Sequence, residues 1–249
     1  PDTRAGFRAA VARSRALIAV VGAWFAVYGA LYTLEHTQLL TNGFDLSVFD
    51  YALWSTLQGH PGWVPFFGHS LLAEHFMPTL LVLAPLYALW PSPAALLGVQ
   101  LLIVGAAGAL LHHLARRQLP AAAALALTFA FLFSRRTHSA LEAWFHVEAL
   151  EPLLIFGLVW AVAARRRAWY AVMMVLALGC KEDMPVYLGL FGAYLAMQKP
   201  LRKVGAVTIV VSAAWLVFAF GFAIPQARAA DGLPRANPFL EARFGDPAA

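Results

Sequence analysis

Stretches of chain without a charged side chain decide what this sequence can fold into. Leu17–Leu34, Ala94–Leu114 and 204–224 are each such a run. At about 1.5 Å per helical residue, runs of this length cross a hydrocarbon core of roughly 30 Å. Composition agrees: hydrophobic residues make up 61% and charged residues 12% of the 249, against roughly 45–50% and about 25% in soluble domains. A soluble protein this apolar could not cover its surface with polar groups. The expectation is an all-α, polytopic transmembrane helix bundle, and intrinsic disorder is excluded.

The formal charge is +5 and the pI is near 9.7. In a membrane chain the positions of the charges carry more than their sum, and no nucleic-acid partner is expected. Cys180 is the sole cysteine, so the chain can form no internal disulfide and no cysteine-based metal site. The chain begins at Pro1 rather than Met and stops in a polar stretch at Ala249. Residues 1–249 are therefore expected to be one transmembrane domain, the front part of a longer protein.

Arg4, Arg8, Arg13 and Arg15 precede the first span. A cleavable signal peptide is the rival reading, but no small-x-small site follows and further spans come later. Residues 35–75 are mixed, and 35–93 are expected to form an external loop with interfacial helices. The loop holds the turn signal Asn42-Gly43 and then FDLSVFDYALW, in which Leu46, Phe49, Leu53 and Leu57 recur at helical spacing. That pattern predicts a short amphipathic helix on the membrane surface. Phe76–Trp90 is apolar but short, and Pro91-Ser92-Pro93 breaks it. If it spans, Arg116 and Arg117 fall outside; if it is interfacial, they fall inside, as the positive-inside rule prefers. The spans then run 17–34, 94–114, 119–134, 152–164, 168–180, 185–198 and 204–224, about seven in all. The N-terminus is cytoplasmic, and a truncated polar tail, 225–249, lies outside.

Under this topology 12 of 18 Lys and Arg fall inside, whereas of 13 Asp and Glu only Asp2 does. The acids played no part in choosing the topology, and acids orient spans only weakly. Their segregation points to a site on the external face.

Four external clusters carry the candidate chemistry. Asp45 and Asp50 lie within FDLSVFDYALW and could act as a general base and a hydroxyl or cation binder. Asp45 could equally cap the helix. Glu74-His75 stands just before Phe76 and Pro78, where a polar helix start is the structural alternative. His60 and His69 upstream show no ligand spacing and read as loop histidines. Glu142, His146, Glu148 and Glu151 form the third cluster, with Glu142 and His146 at helical i,i+4 spacing. It could hold a divalent cation or tune a proton carrier, although it matches no strong metal signature; Glu151 before Pro152 could simply open a helix. Lys181-Glu182-Asp183 lies between two short apolar runs, which would sink it below the membrane surface, where ionisable groups are expensive and usually functional. The alternative for Asp183 is a helix cap. Arg135, Arg136 and Lys181 break the positive-inside pattern, and a phosphate group is one partner that external cations would fit. GxxxxGK[ST], HExxH and GxSxG motifs are all missing, so a cytosolic nucleotide enzyme is not supported.

The series FDLSVFDYALW, EHFMP, LAPLYALWPSP, HLARRQLP, FHVEALEP and LGCKEDMP resembles a family of bacterial predicted membrane proteins, domain of unknown function 2079, from about Thr33 to Lys203. Two positions depart from the pattern: Met77 stands where a small residue is expected, and Val147 where a proline is. The carboxylates and histidines remain. That family in turn resembles the C-type membrane glycosyltransferases, with a first span, a long external loop bearing an acidic motif, interfacial helices, and a second span ending in Arg-Arg inside. Asp45 occupies the place of that superfamily's catalytic acid. The resemblance implies transfer of a sugar from a polyprenyl-phosphate carrier outside a bacterial cytoplasmic membrane.

The expected division of labour follows. Asp45 would deprotonate the acceptor, and Asp50 would orient it or bind a cation. Lys181, with Arg135 or Arg136, would neutralise the departing lipid phosphate. Glu74, His75, His146, Glu148, Glu182 and Asp183 would line the substrate cavity. No cofactor is required by this scheme, though a divalent cation fits it; membrane lipid and the lipid-linked sugar are the expected partners. A secondary transporter, with Lys181-Glu182-Asp183 as its ion site, and a non-catalytic subunit of a membrane assembly are the alternatives.

Overall fold

The computed structural model describes residues 3–40, 43–141 and 145–235. The turn residue Asn42 and the candidate acid Glu142 lie outside them. The elements in chain order are α1 (Thr3–Thr37), α2 (Gly43–Leu57), β1 (Trp63–Val64), β2 (His69–Ser70), α3 (Ala84–Tyr87), α4 (Pro93–Ala115), α5 (Ala121–Leu132), α6 (Arg135–Leu141), α7 (Glu151–Ala163), α8 (Arg167–Leu178), α9 (Met184–Met197), α10 (Arg202–Phe218) and α11 (Ile224–Ala230). Apart from a two-stranded hairpin, this is the expected all-α architecture.

The chain sorts into two compact units, each made of two segments: 1–47 with 92–173, and 48–91 with 174–249. In the first unit α4 packs against α1, α5 and α7. Trp24 on α1 is fully buried, and its indole N–H donates to the carbonyl of Leu132 at 2.8 Å, so the largest side chain in this core keeps its polar group satisfied. Gly105 on α4 admits the Phe25 ring, because a Cβ there would sit 2.6 Å from it. Buried Leu154, Gly157, Leu158 and Ala161 give α7 an apolar stripe at helical spacing.

The second unit is centred on the antiparallel pair α9 and α10, joined by the turn Lys199–Leu201. Gly192 and Gly205 let these backbones close up: a Cβ on Gly192 would meet the Gly205 carbonyl oxygen at 3.0 Å, and one on Gly205 would run into the backbone of Ala196 and Gly192. Such small-residue contacts hold membrane helices together, where burial from lipid supplies no driving force. The α8–α9 turn is tied to the segment between α2 and α4 through Thr79, whose backbone N–H donates to the Gly179 carbonyl at 2.9 Å and whose hydroxyl donates to that of Leu176 at 2.7 Å.

Three helical segments among the described residues are long and apolar enough to cross a membrane: Arg15–Thr37, Pro93–Ala115 and Lys199–Ala230. Helices also stand at the other four expected spans, but α5, α7, α8 and α9 have 12, 13, 12 and 14 residues, short of the roughly 20 that a span needs. Apolarity alone does not separate a span from a helix buried against its neighbours, as the stripe of α7 illustrates. Phe76–Trp90 does not form one continuous helix: it holds a 3-10 turn at Pro78–Leu83 and the short α3.

Two boundaries differ from expectation. The last long helix does not stop before Pro225 but continues to Ala230 through a π-helical turn at Ala219–Ala223. A proline lacks the N–H of the regular ladder, and a wider turn just before it relieves the resulting clash. His146 is extended rather than helical, with φ −136° and ψ 137°. It therefore does not share a helix face with position 142.

Candidate functional site

The α8–α9 turn and the loop before Pro78 meet in the second unit. His75 Nδ1 lies 2.7 Å from Glu182 Oε1. The Glu182 side chain is 16% exposed and that of His75 47%, so the carboxylate stands behind the imidazole. Burial pushes the Glu182 carboxyl up, but the His75 hydrogen bond and charge, its own backbone N–H and the Lys181 charge together hold it below the usual carboxylate range. An ionised carboxylate only accepts, so the hydrogen of this bond belongs to Nδ1 of His75. Lys181 is half-buried. Asp183 is exposed at the N-cap of α9, and its side chain makes no capping hydrogen bond.

Glu74, although next to His75, belongs to a second network. Its Oε1 lies 3.3 Å from His69 Nε2 and 3.6 Å from Arg228 Nη1. Arg228 on α11 is buried, and its guanidinium also donates to the carbonyls of Pro234 (2.7 Å) and Ala73 (3.3 Å). Asp231 accepts from the Ser70 backbone N–H at 2.8 Å. The hairpin is thus clamped to α11. The residues around Glu74 do not start a helix; they close the 3-10 turn Leu71–Ala73.

Asp45 and Asp50 both lie on α2, but five residues place them about 140° apart around it. Asp45 is in the first turn, where the helix dipole favours a carboxylate. Asp50 accepts from the Tyr87 hydroxyl at 2.6 Å. Burial pushes the Asp50 carboxyl up, and the Tyr87 hydrogen bond offsets only part of this. Leu46, Phe49 and Leu53 form the buried face of α2 as the spacing predicts, whereas Leu57 is exposed.

In the first unit, His146 Nδ1 lies 3.8 Å from Glu148 Oε2. The fully buried Gln100 of α4 fixes this segment: its carbonyl accepts from the His146 backbone N–H at 2.8 Å, and its amide donates to the Tyr32 hydroxyl at 2.9 Å. Arg135 and Arg136 are exposed at the start of α6. Glu151 opens α7 with a proline behind it.

Of the sequence candidates, the structure therefore joins His75 to Glu182 and His146 to Glu148, and gives Asp50 and Glu74 other partners. Among the described residues no three His, Cys, Asp or Glu side chains come together as a metal ion would need. His69, Tyr87, Gln100 and Arg228 were not among the candidates.

A family model described as predicted membrane protein, DUF2079, matches residues 35–245. The chain belongs to that family. The match takes in both halves of the His75–Glu182 pair and the Glu74–His69–Arg228 network. No curated protein and no solved structure matches the chain. The family's description carries membrane location and no activity, so the chemistry of this DUF2079 member has to be argued from its side chains.

Proposed function

We propose that this DUF2079 protein is a multi-pass membrane glycosyltransferase that moves a sugar from a polyprenyl-phosphate carrier on the external face of a bacterial cytoplasmic membrane. The observation that carries the reading is the His75–Glu182 hydrogen bond of 2.7 Å beside Lys181. A carboxylate bonded to one ring nitrogen fixes the imidazole tautomer and leaves the other nitrogen as a proton acceptor. In this scheme Nε2 of His75 takes the proton of the acceptor hydroxyl as that oxygen bonds to the anomeric carbon. The bond from that carbon to the phosphate oxygen breaks, and the electron pair leaves on the phosphate. Lys181 offsets the charge that develops there. The family resemblance gives the proton-accepting role to Asp45 instead. The seven-span topology belongs to the same proposal, with the four short helices spanning as part of a packed bundle.

The test is transfer from a lipid-linked sugar by the full chain in nanodiscs. His75→Ala should lower turnover by about 10²–10⁴, the usual worth of a general base, and Glu182→Gln should lower it less. Full activity in both variants, with loss in Asp45→Asn, returns the role to Asp45. Absence of transfer from any polyprenyl-phosphate sugar overturns the class.

The partly buried charges of Lys181 and Glu182, between two short apolar helices, also favour a second reading, a secondary transporter with Lys181-Glu182-Asp183 as its ion site. Uptake into proteoliposomes that depends on Glu182, without sugar transfer, would select it.

A further inference from the structure

We infer that one end of the first unit binds the headgroup of an anionic phospholipid, through the arginine turn that joins α7 to α8 and the arginines that close α4. Such a site requires neither sugar transfer nor transport.

Helix directions bring these residues to one level. Tyr32, late in α1, bonds to Gln100, early in α4, and the Phe25 ring lies over Gly105, so α1 and α4 run antiparallel. The His146 backbone meets Gln100 just before α7 opens at Glu151, and α7 packs along α4, so these two helices run the same way. Thr128 lies 3.3 Å from His112, and Leu132 packs on Gly108, so α5 returns alongside α4. At about 1.5 Å per residue, Arg15, Arg116 and Arg165 all fall roughly 20–25 Å from the level of Gln100. Arg117, Arg166 and Arg167 adjoin them. All of these except Arg116 are exposed, and none has an ion-pair partner among the described residues. The described acids of this unit sit elsewhere: Glu35 towards the other end of α1, Asp45 beyond it on α2, and Glu148 and Glu151 where α7 opens.

The turn carries a second observation. The Arg166 N–H donates to the Ala161 carbonyl at 2.8 Å, and the Arg165 N–H to that of Val162 at 3.1 Å. This is the Schellman pattern, whose left-handed position usually holds glycine. Here that position is Arg165, with φ 55°; among the described residues only Leu39 also takes a positive φ without being glycine. The exposed Arg165 side chain fills no core that would compensate the strain, and backbone strain of this kind points to function.

The occupant follows from the level. Arg15–Thr37 and Pro93–Ala115 are long and apolar enough to cross a membrane, and the arginines stand at their ends, where lipid phosphates lie. Guanidinium forks match phosphate oxygens. α5 also starts here without a side-chain cap, so its first amides add donors at the same end. Trp169, exposed two residues past Arg167, suits the headgroup layer. A zwitterionic headgroup brings a cation of its own, which the arginines repel.

Phosphatidylglycerol and phosphatidylcholine with the same acyl chains, titrated onto the full chain in neutral detergent and counted by native mass spectrometry, provide the test. Phosphatidylglycerol should bind at least tenfold more tightly. Each arginine beside an anionic headgroup is worth about fivefold. Arg165→Gly should therefore weaken phosphatidylglycerol binding about fivefold, and Arg165→Gln, Arg166→Gln and Arg167→Gln together about a hundredfold. Arg165→Gly also relieves the positive φ and should melt no lower than the parent in neutral detergent, which separates lost binding from lost folding. Phosphatidylcholine binding should stay unchanged in both variants. Equal affinity of the parent for the two lipids overturns the site, and so does phosphatidylglycerol binding that the triple variant leaves intact.

Discussion

A half-buried carboxylate keeps its charge only where its neighbours donate to it, and two residues of the second unit fall on opposite sides of that rule. Glu182, faced by His75 and Lys181, is held low; Asp50, faced by one neutral phenol, is pushed up. Tyr87 is pushed up in turn, by burial and by the Asp50 charge. For Asp50 the linkage has a definite sign. A carboxyl raised above its unfolded value, about 3.9, adds stability below that value and loses it as pH rises through the folded one. Asp50→Asn should therefore match the parent at the acid end of a thermal-unfolding series and gain on it as pH rises from about 4 to 8. A constant difference across the series would show that Asp50 does not titrate in this way. The two carboxylates were both visible in the sequence, because acids inside aromatic or apolar surroundings stand out. Their partners were visible unevenly. His75 adjoined an acid, whereas Tyr87 sat in an apolar run; Arg228, which Glu74 meets, sat in what looked like the start of a polar tail.

At the scale of elements, the helices were legible almost throughout, and their roles less so. Period and breakers such as Pro91-Ser92-Pro93 and Arg165-Arg166-Arg167 mark where helices stop, but mean hydropathy is the same for a helix bathed in lipid and one wrapped in protein. The glycines report what hydropathy cannot. Gly205→Ala adds one methyl group against the backbone of Ala196 and Gly192, and should destabilise the α9–α10 pair by about 1–3 kcal/mol, the usual cost of overpacking. Gly221→Ala, where an added Cβ meets nothing within 4 Å, should stay within about 0.5 kcal/mol of the parent. Denaturant titration in detergent micelles compares the two. Equal effects would mean that the close approach of α9 and α10 is not what holds them together.

At the scale of the molecule, orientation is the first question, and the single thiol makes it tractable. Cys180 is fully buried, so a membrane-impermeant maleimide should find little background in the parent. His60 and Arg166 are exposed, and His60 avoids the positive φ of neighbouring Gly59, at 86°. His60→Cys and Arg166→Cys should be modified from opposite sides in oriented vesicles; modification of both from one side removes the proposed topology. The two units also have a history in time. Their segments alternate along the chain, with 92–173 separating 48–91 from 174–249. At about 5–20 residues per second, the ribosome spends on the order of 4–16 s on that intervening stretch. Throughout it, His75 has been made and Glu182 has not, and Glu74 waits for an arginine still further down the message. A nascent chain halted before Lys181 would present His75 without Glu182 and Glu74 without Arg228 to whatever inserts it, so the segment between α2 and α4 has to be tolerated in an unfinished form before these two contacts can exist.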